Sequence, residues 1–311
     1  MILMKPSVER IDETNPVKLI ELAGRTCYKS EDKMTDTSAV KFVKAMMKSH
    51  HYAMLEHGHI TCKVCGLPEY ALSHQFLSTP YLVWSFYNQE FYITLSVSHI
   101  AQGVSNDCTL LDRTIFKGIV ELFNRRYIEM EDVDSINLGT STLPGILIRL
   151  MMPKDFAILP ISIRSKHTFE SFRFTCDRAV SHELVRHRCS VAQESQRYCN
   201  YGLDKFDNQV HFIYPCDWET LSASSKQRFI DTCEFCENQY LEDIADGIKP
   251  QMARHNLPNS TKTEVVLTMS VSQWVHFIKL RSQGVTGAPH PDMKVLAEQV
   301  ENTIVQIVET W

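Results

Sequence analysis

Between Asp177 and Tyr198, four arginines (178, 186, 188 and 197) and two histidines (182 and 187) stand against three acids (177, 183 and 194). The chain as a whole leans the other way: 32 Lys plus Arg against 37 Asp plus Glu leave a formal charge of −5. A cationic cluster in an acidic protein is where an anion would be held. Guanidinium forks grip phosphate or carboxylate through paired N–H donors, and the polar turn Gln193-Glu194-Ser195-Gln196 can offer backbone N–H groups to the same anion. On one helix, residues two apart differ by about 200°, so Arg186 and Arg188 would serve different groups unless the helix ends between them. The competing reading is a surface helix laced with salt bridges.

Other chemistry-bearing residues are scattered. His50, His51, Glu56, His57 and His59 form a dense group, and His57-x-His59 on a strand would put both rings on one face, an arrangement that can bind metal. No third ligand at a usual spacing completes it. Cys62-x-x-Cys65 and Cys233-x-x-Cys236 have the spacing of half zinc sites, but residues three apart on a strand face opposite sides, and the second pair falls in mid-helix. No metal site is expected. Arg254, in Met252 to Asn259, and Arg281, in His276 to Arg281, are isolated cations beside apolar residues, which by pattern alone read as snorkelling or salt-bridged side chains. G-x-G-x-x-G and G-x-x-x-x-G-K-[ST] are both absent from the sequence, so a bound nucleotide would depend on side chains.

The elements that must position these residues follow from periodicity. Helices are expected at Pro16 to Tyr28, Thr37 to Ser49, Cys108 to Tyr127, Arg178 to Arg188, Trp218 to Gly247, Ser272 to Ser282 and Pro291 to Trp311, with Asn15 and Thr37 as N-caps. Strands are expected at His57 to Val64, Phe91 to His99, Ser171 to Cys176 and Val210 to Tyr214. The order lacks the regular alternation of a doubly wound sheet, so the fold class expected is α+β, a mixed or antiparallel sheet packed with helices. With 311 residues, 44% hydrophobic and 22% charged, the chain can bury a substantial core and is not a disordered or low-complexity protein. The net charge argues against non-specific binding to nucleic acid or anionic membrane. Met1 to Glu9 lacks an apolar signal core and no uncharged apolar run is long enough to span a bilayer, so ten reduced thiols and a cytoplasmic location are expected.

Arg186-His187-Arg188, followed by Ser195 and Arg197-Tyr198, resembles the signature of flavin-dependent thymidylate synthases, in which seven residues separate R-H-R from the Ser. Here Cys189 to Glu194 make six. The flanks, Phe174 to Val185 and Gln193 to Tyr201, are similar to longer members of that family, which makes the shortening a trimmed loop. Two further stretches match in order: His51-Tyr-Ala-Met-Leu-Glu-His57, and Arg254-His-Asn-Leu-Pro258 through Arg281, with His290 after a small insertion at 284–289. The resemblance covers about 45–60 and 170–305. It implies a single domain over 1–311 with an uninterpreted insertion at about 60–170.

The resemblance also implies an enzyme that methylates C5 of dUMP with FAD, NADPH and methylenetetrahydrofolate, releasing dTMP and tetrahydrofolate. His51, Arg186, His187, Arg188, His276, Arg281 and His290 would contact flavin. Glu183, Gln193, Ser195, Arg197, Arg254 and Arg281 would meet dUMP, with Arg281 and Ser195 nearest the chemistry. Glu183 and Gln193 stand where Gln and Glu are common, and His276 where Asn occurs. A homotetramer with sites shared between subunits is the expected assembly. The physical sense is that both substrates and the cofactor are anionic, and negative charge spreading over the uracil ring would be stabilised by positioned guanidinium groups. The alternatives are a related methylase of another uracil nucleotide such as UMP, a metal-dependent hydrolase built on 50–59, and a non-catalytic nucleotide binder.

Overall fold

The computed structural model describes residues 1–129 and 145–311. Strands β1 (Ile2–Met4) and β2 (Ser7–Ile11) lead into helices α1 (Pro16–Tyr28), α2 (Ser38–Lys48) and the single-turn α3 (Tyr52–Leu55). Next come β3 (His59–Cys65), α4 (His74–Leu77), β4 (Leu82–Tyr87), β5 (Glu90–Ser96), α5 (Val97–Gln102) and α6 (Leu110–Phe123), then β6 (Leu147–Leu150), α7 (Pro153–Phe156) and α8 (Ile161–His167). β7 (Phe169–Asp177) runs into α9 (Arg178–Leu184) and β8 (Ser190–Gln193). β9 (His211–Ile213), α10 (Ala223–Ala245) and α11 (Pro250–Ala253) precede β10 (Lys262–Ser270), α12 (Val271–Arg281) and α13 (Pro291–Glu309). Among the described residues no helix is long and apolar enough to cross a membrane.

Two four-stranded antiparallel sheets result, ordered β2-β7-β10-β8 and β4-β5-β3-β6, beside a short parallel pair β1-β9. The α+β expectation holds. In the first sheet, Val265 of β10 pairs with Phe174 of β7 on one side and Gln193 of β8 on the other. Alternation then sends Phe172, Phe174, Val265, Leu267 and Met269 to one face, where they meet Val180 and Leu184 of α9, Trp274 and Phe277 of α12, and Leu296 and Val300 of α13. Trp274 anchors this layer, buried edge-on to Phe172 at 4.8 Å with its indole N–H donating to the Glu170 carbonyl. Val266 and Ala192 face the other way, onto Ala23 of α1. The sheet is thus held between α9, α12 and α13 on one side and α1 on the other.

The segment the sequence leaves uninterpreted, 60–170, supplies most of the second sheet, apart from 130–144, which lie outside the described residues. Cys62, Val64, Phe91, Ile93 and Ile148 pack on Ile115, Ile119 and Phe123 of α6. Its other face is tied to α8 by a buried polar chain: the Thr61 and Thr94 hydroxyls lie 2.7 Å apart, Thr94 meets His167 Nδ1 at 2.8 Å, and His167 Nε2 meets the Ser85 hydroxyl at 3.0 Å.

Several boundaries differ from those expected from periodicity. The helix expected over Arg178 to Arg188 stops at Leu184, because Ser190 to Gln193 are recruited to the edge of β10 and the intervening residues must cross to it. The strand expected to reach His99 ends at Ser96, whose hydroxyl caps α5 by accepting from the His99 N–H. Ser222 likewise starts α10, separating it from the turn at Trp218–Thr220. His57 lies before β3, not in it. Asn15 does cap α1, accepting from the Val17 N–H at 2.9 Å, whereas Thr37 makes no side-chain cap.

Candidate functional site

Because α9 ends early, Arg186, His187 and Arg188 lie on a turn, and the 200° restriction that separates two arginines on a helix no longer applies to them. Arg281, the last residue of α12, reaches this turn. Its Nη1 donates to Glu183 Oε2 at 2.6 Å and its Nε to His187 Nε2 at 3.1 Å. Arginine only donates, so His187 Nε2 accepts and the ring proton belongs on Nδ1. Burial, followed by Arg281 and His276, pulls the His187 pKa down to about 4, which keeps the ring neutral at neutral pH. Phe277 closes one side, edge to the imidazole at 4.9 Å. Arg186 and Arg188 project exposed, and neither has an ion pair with any described residue.

β8 carries the site onward. Ser190 donates its hydroxyl to the Glu56 carbonyl at 2.8 Å, which brings the end of α3, the helix that starts after His51, against the arginine turn. Gln193 donates through Nε2 to the Ser181 and Thr263 hydroxyls at 3.0 and 3.3 Å. Ser195 donates its N–H to the Cys27 carbonyl, and its Oγ accepts from the Arg197 N–H at 3.3 Å. The Arg197 guanidinium is exposed, 5.3 Å from the Tyr198 ring, which packs against Tyr28 at 4.9 Å.

Beneath Ser195 lies a charged layer that the sequence patterns do not reveal. Glu194, 1% exposed, accepts from Lys262 Nζ at 2.9 Å and from the Tyr201 hydroxyl at 3.0 Å, while its carbonyl accepts from Arg178 at 3.0 Å. Lys262 also holds Glu264, which Lys29 grips at 3.0 Å. Burial by itself would raise the Glu264 pKa, but Lys262 and Lys29 outweigh it and bring it to about 2. Beside Tyr28 opens a cavity of about 820 Å3 whose lining includes Arg25, Lys29, Lys33 and Lys205 together with the acids Glu31 and Asp32. Its basic residues come from α1, the loop after it and residue 205, a combination that carries no linear motif. The only signal in the sequence is Glu194, one of the three acids of the 177–198 cluster.

Glu183, His187 and Arg281 are therefore joined directly, with His276 close enough to lower the His187 pKa, and Gln193, Ser195 and Arg197 follow along one edge strand and its loop. Arg254, half-buried after α11, and His290, exposed at the start of α13, make no side-chain hydrogen bond or ion pair to these residues. His290 lies near Asp177, the cap of α9, whose pKa burial raises, an effect that the Val180 and Ala179 N–H groups and His290 only partly offset.

The histidine-rich stretch does something else. His57 Nδ1 shares a 2.8 Å hydrogen bond with Thr268, His59 stacks on Phe169 at 3.7 Å, and His50 meets the Tyr52 hydroxyl. Burial lowers the pKa of His57 to about 4 and of His59 to about 3. Among the described residues no three His, Cys, Asp or Glu side chains converge to hold a metal. Burial raises the pKa of every one of the ten free thiols, that of Cys189 to about 12, so none is an activated nucleophile.

The model of the family Thy1, described as thymidylate synthase complementing protein, matches residues 10–102 and 165–309. Among curated relatives, the flavin-dependent thymidylate synthase of Geobacter sulfurreducens is 34% identical over 130 residues, 40% of this chain and 53% of that protein. That of Pyrococcus furiosus is 32% identical over 123 residues, 39% of this chain and 48% of its own length. A probable flavin-dependent thymidylate synthase of Paramecium bursaria Chlorella virus 1 is 26% identical over 161 residues, 46% and 73%. The chain thus spans about half the length of the first two. Among solved structures, the UMP/dUMP methylase PolB of Streptomyces cacaoi, bound with 5-Br dUMP, aligns with a TM-score of 0.40 at 15% identity, covering 98% of this chain and 93% of that one.

Proposed function

We propose, since the chain belongs to the thymidylate synthase complementing protein family, that it methylates C5 of dUMP and releases dTMP and tetrahydrofolate, with FAD, NADPH and methylenetetrahydrofolate as the other participants. The observation that carries this reading is a set of guanidinium groups with no carboxylate partner. Arg186, Arg188, Arg197 and Arg254 lack an ion pair among the described residues of a protein with a net charge of −5. Cations left unpaired, two of them flanking the neutral His187 imidazole, suit a site that takes its negative charge from ligands.

The donor set fits a flavin with an anionic diphosphate: Arg186, Arg188, His51, His276 and His290 are exposed, and Arg186 and Arg188 have no competing acid. A bound flavin supplies the reducing electrons. The chain's own residues do the rest. Arg197 and Arg254 hold the nucleotide's phosphate, and Gln193 and the backbone around Ser195 align it. Arg281, oriented by Glu183 and His187, places a fixed positive charge where the uracil ring gathers negative charge. Neutral His187 leaves the Arg281 charge uncompensated on its Nε side, unlike a carboxylate at that position. A homotetramer whose sites are completed across subunits is part of this reading; sedimentation would give the mass.

The test is release of tritium from C5-labelled dUMP by the flavin-loaded protein with NADPH and the folate, alongside labelled UMP. Release from dUMP is expected. Release from UMP alone would replace the substrate with the ribonucleotide, and nucleotide binding without any release or NADPH oxidation would make the protein a non-catalytic binder. Absorbance of the purified protein reads bound oxidised flavin directly.

A further inference from the structure

The seam between the two sheets encloses a second cavity, of about 960 Å3, which none of the arginines assigned to the nucleotide or flavin lines. Its walls come from the loop after β2, the end of β6 with α7 and α8, the turn following α6, and the last turns of α13. Three guanidinium groups face this space. Arg10 is satisfied, since Nε and Nη2 bond both oxygens of Glu170 at 2.8 and 3.2 Å, with Asp12 3.8 Å away.

Arg164 and Arg126 are left without a carboxylate partner: neither has an ion pair among the described residues. Arg164 lies 4.4 Å over the Trp311 ring, and its Nε is buried with no hydrogen-bond partner. A cation partly withdrawn from water and without a counter-ion is stabilised when an anion arrives. The acids nearby do not fill that role: Glu170 is engaged by Arg10, Glu13 accepts from the Asn15 N–H at 2.7 Å, and the Asp12 side chain is 84% exposed.

The remaining lining says what else the occupant carries. Phe156, Phe169 and Trp311 present flat apolar surface, and Thr303, Gln306 and Thr310 bring polar side chains from successive turns of α13 and its end. The volume lies in the range of cavities that bind small organic molecules, larger than an inorganic anion requires. We propose that this cavity binds a small organic anion bearing a flat ring, its charge held by Arg164 and Arg126 and its ring packed among Phe156, Phe169 and Trp311. The site is separate from the nucleotide site and does not depend on the reaction proposed above.

The probe is 8-anilinonaphthalene-1-sulfonate, a flat ring system with one negative charge, titrated by fluorescence into the full chain with and without saturating FAD and dUMP. Binding of one dye per chain is expected, unchanged by FAD and dUMP and by Arg197→Ala. Arg164→Gln and Arg126→Gln should each weaken it by about tenfold or more, Arg164→Lys by much less, and the uncharged N-phenyl-1-naphthylamine should bind about tenfold more weakly. Circular dichroism of each variant confirms that it is folded. The proposal is overturned if both glutamine variants bind the sulfonate as the parent does, if the uncharged dye binds equally well, if Arg164→Lys fails as completely as Arg164→Gln, or if dUMP or FAD displaces the dye.

Discussion

Lys262 and Arg197 belong to the same stretch of sheet and loop, yet the fold treats their charges in opposite ways. Lys262 is enclosed by Glu194 and Glu264, with Lys29 on the far side of Glu264 and Arg178 on the Glu194 carbonyl, a largely buried layer of paired charges. Arg197 stands exposed over Tyr198 with no acid beside it, as do Arg186 and Arg188 on the neighbouring turn. In a low-dielectric interior an unpaired charge is expensive, so buried ions come in matched sets and mainly fix geometry. A charge kept unpaired at the surface has its binding capacity in reserve. The contrast separates residues that hold the Ser195 loop from residues proposed to meet a ligand, although both carry the same kind of side chain.

The largest expected effect lies in the enclosed layer. Lys262→Met strands Glu194 in the interior, leaves Glu264 to Lys29 alone, and should remove about 3–5 kcal/mol of stability in urea unfolding. A loss under about 0.5 kcal/mol would mean the layer is wetter and looser than its distances indicate. Arg197→Ala should do the reverse: stability within about 0.5 kcal/mol of the parent, but dUMP affinity in calorimetric titration weaker by about tenfold or more. Unaltered affinity would remove Arg197 from the ligand-facing set.

A smaller effect is expected from mild acid. His57, His167 and His187 are held neutral to about pH 4 and His59 to about 3, whereas in the unfolded chain each protonates near 6.5. The unfolded state then binds more protons between those values, so stability should be greatest above pH 6.5 and fall steadily toward pH 4. Glu264, with its depressed pKa, acts in the same direction at lower pH: its contribution is complete above about 4.5 and is lost as pH falls toward about 2. Flat denaturation midpoints from pH 7 to 4.5 would show that the imidazoles are not buried neutral. The smallest effect is assigned to Cys233→Ser. Cys233 is 1% exposed in α10, 3.6 Å from the Ser260 hydroxyl and apart from the arginine turn, so turnover should be nearly unchanged; lost activity in a folded variant would contradict that placement.

Much of this was legible in the residues. The 3.6-residue period and the Asn15 cap locate α1 to its ends, and the excess of arginine in an acidic chain is enough to single out 186–188 for the anion site proposed above. The errors have physical causes. Periodicity continued α9 past Leu184 because Val185 suits the apolar face, but pairing of Ser190–Gln193 with β10 is non-local and overrode it. The His57-x-His59 pattern read as a shared face only on the assumption that both lie within a strand. The cavity at the seam of the two sheets has no linear signature, since its walls are drawn from residues 10 to 311.

Local pattern and composition by themselves determined where most helices and strands run, that cations concentrate in one segment, and that nucleotide-binding glycine loops are missing. Those properties are carried by side chains a few residues apart along the backbone. Only the tertiary structure decided which cations are neutralised and which stay free, because Lys29, Glu194 and Lys262, or Glu183, His187 and Arg281, become neighbours solely when three strands and the helices on both faces of the sheet close together. Charge pairing and desolvation depend on distance in space, and sequence separation does not specify that distance.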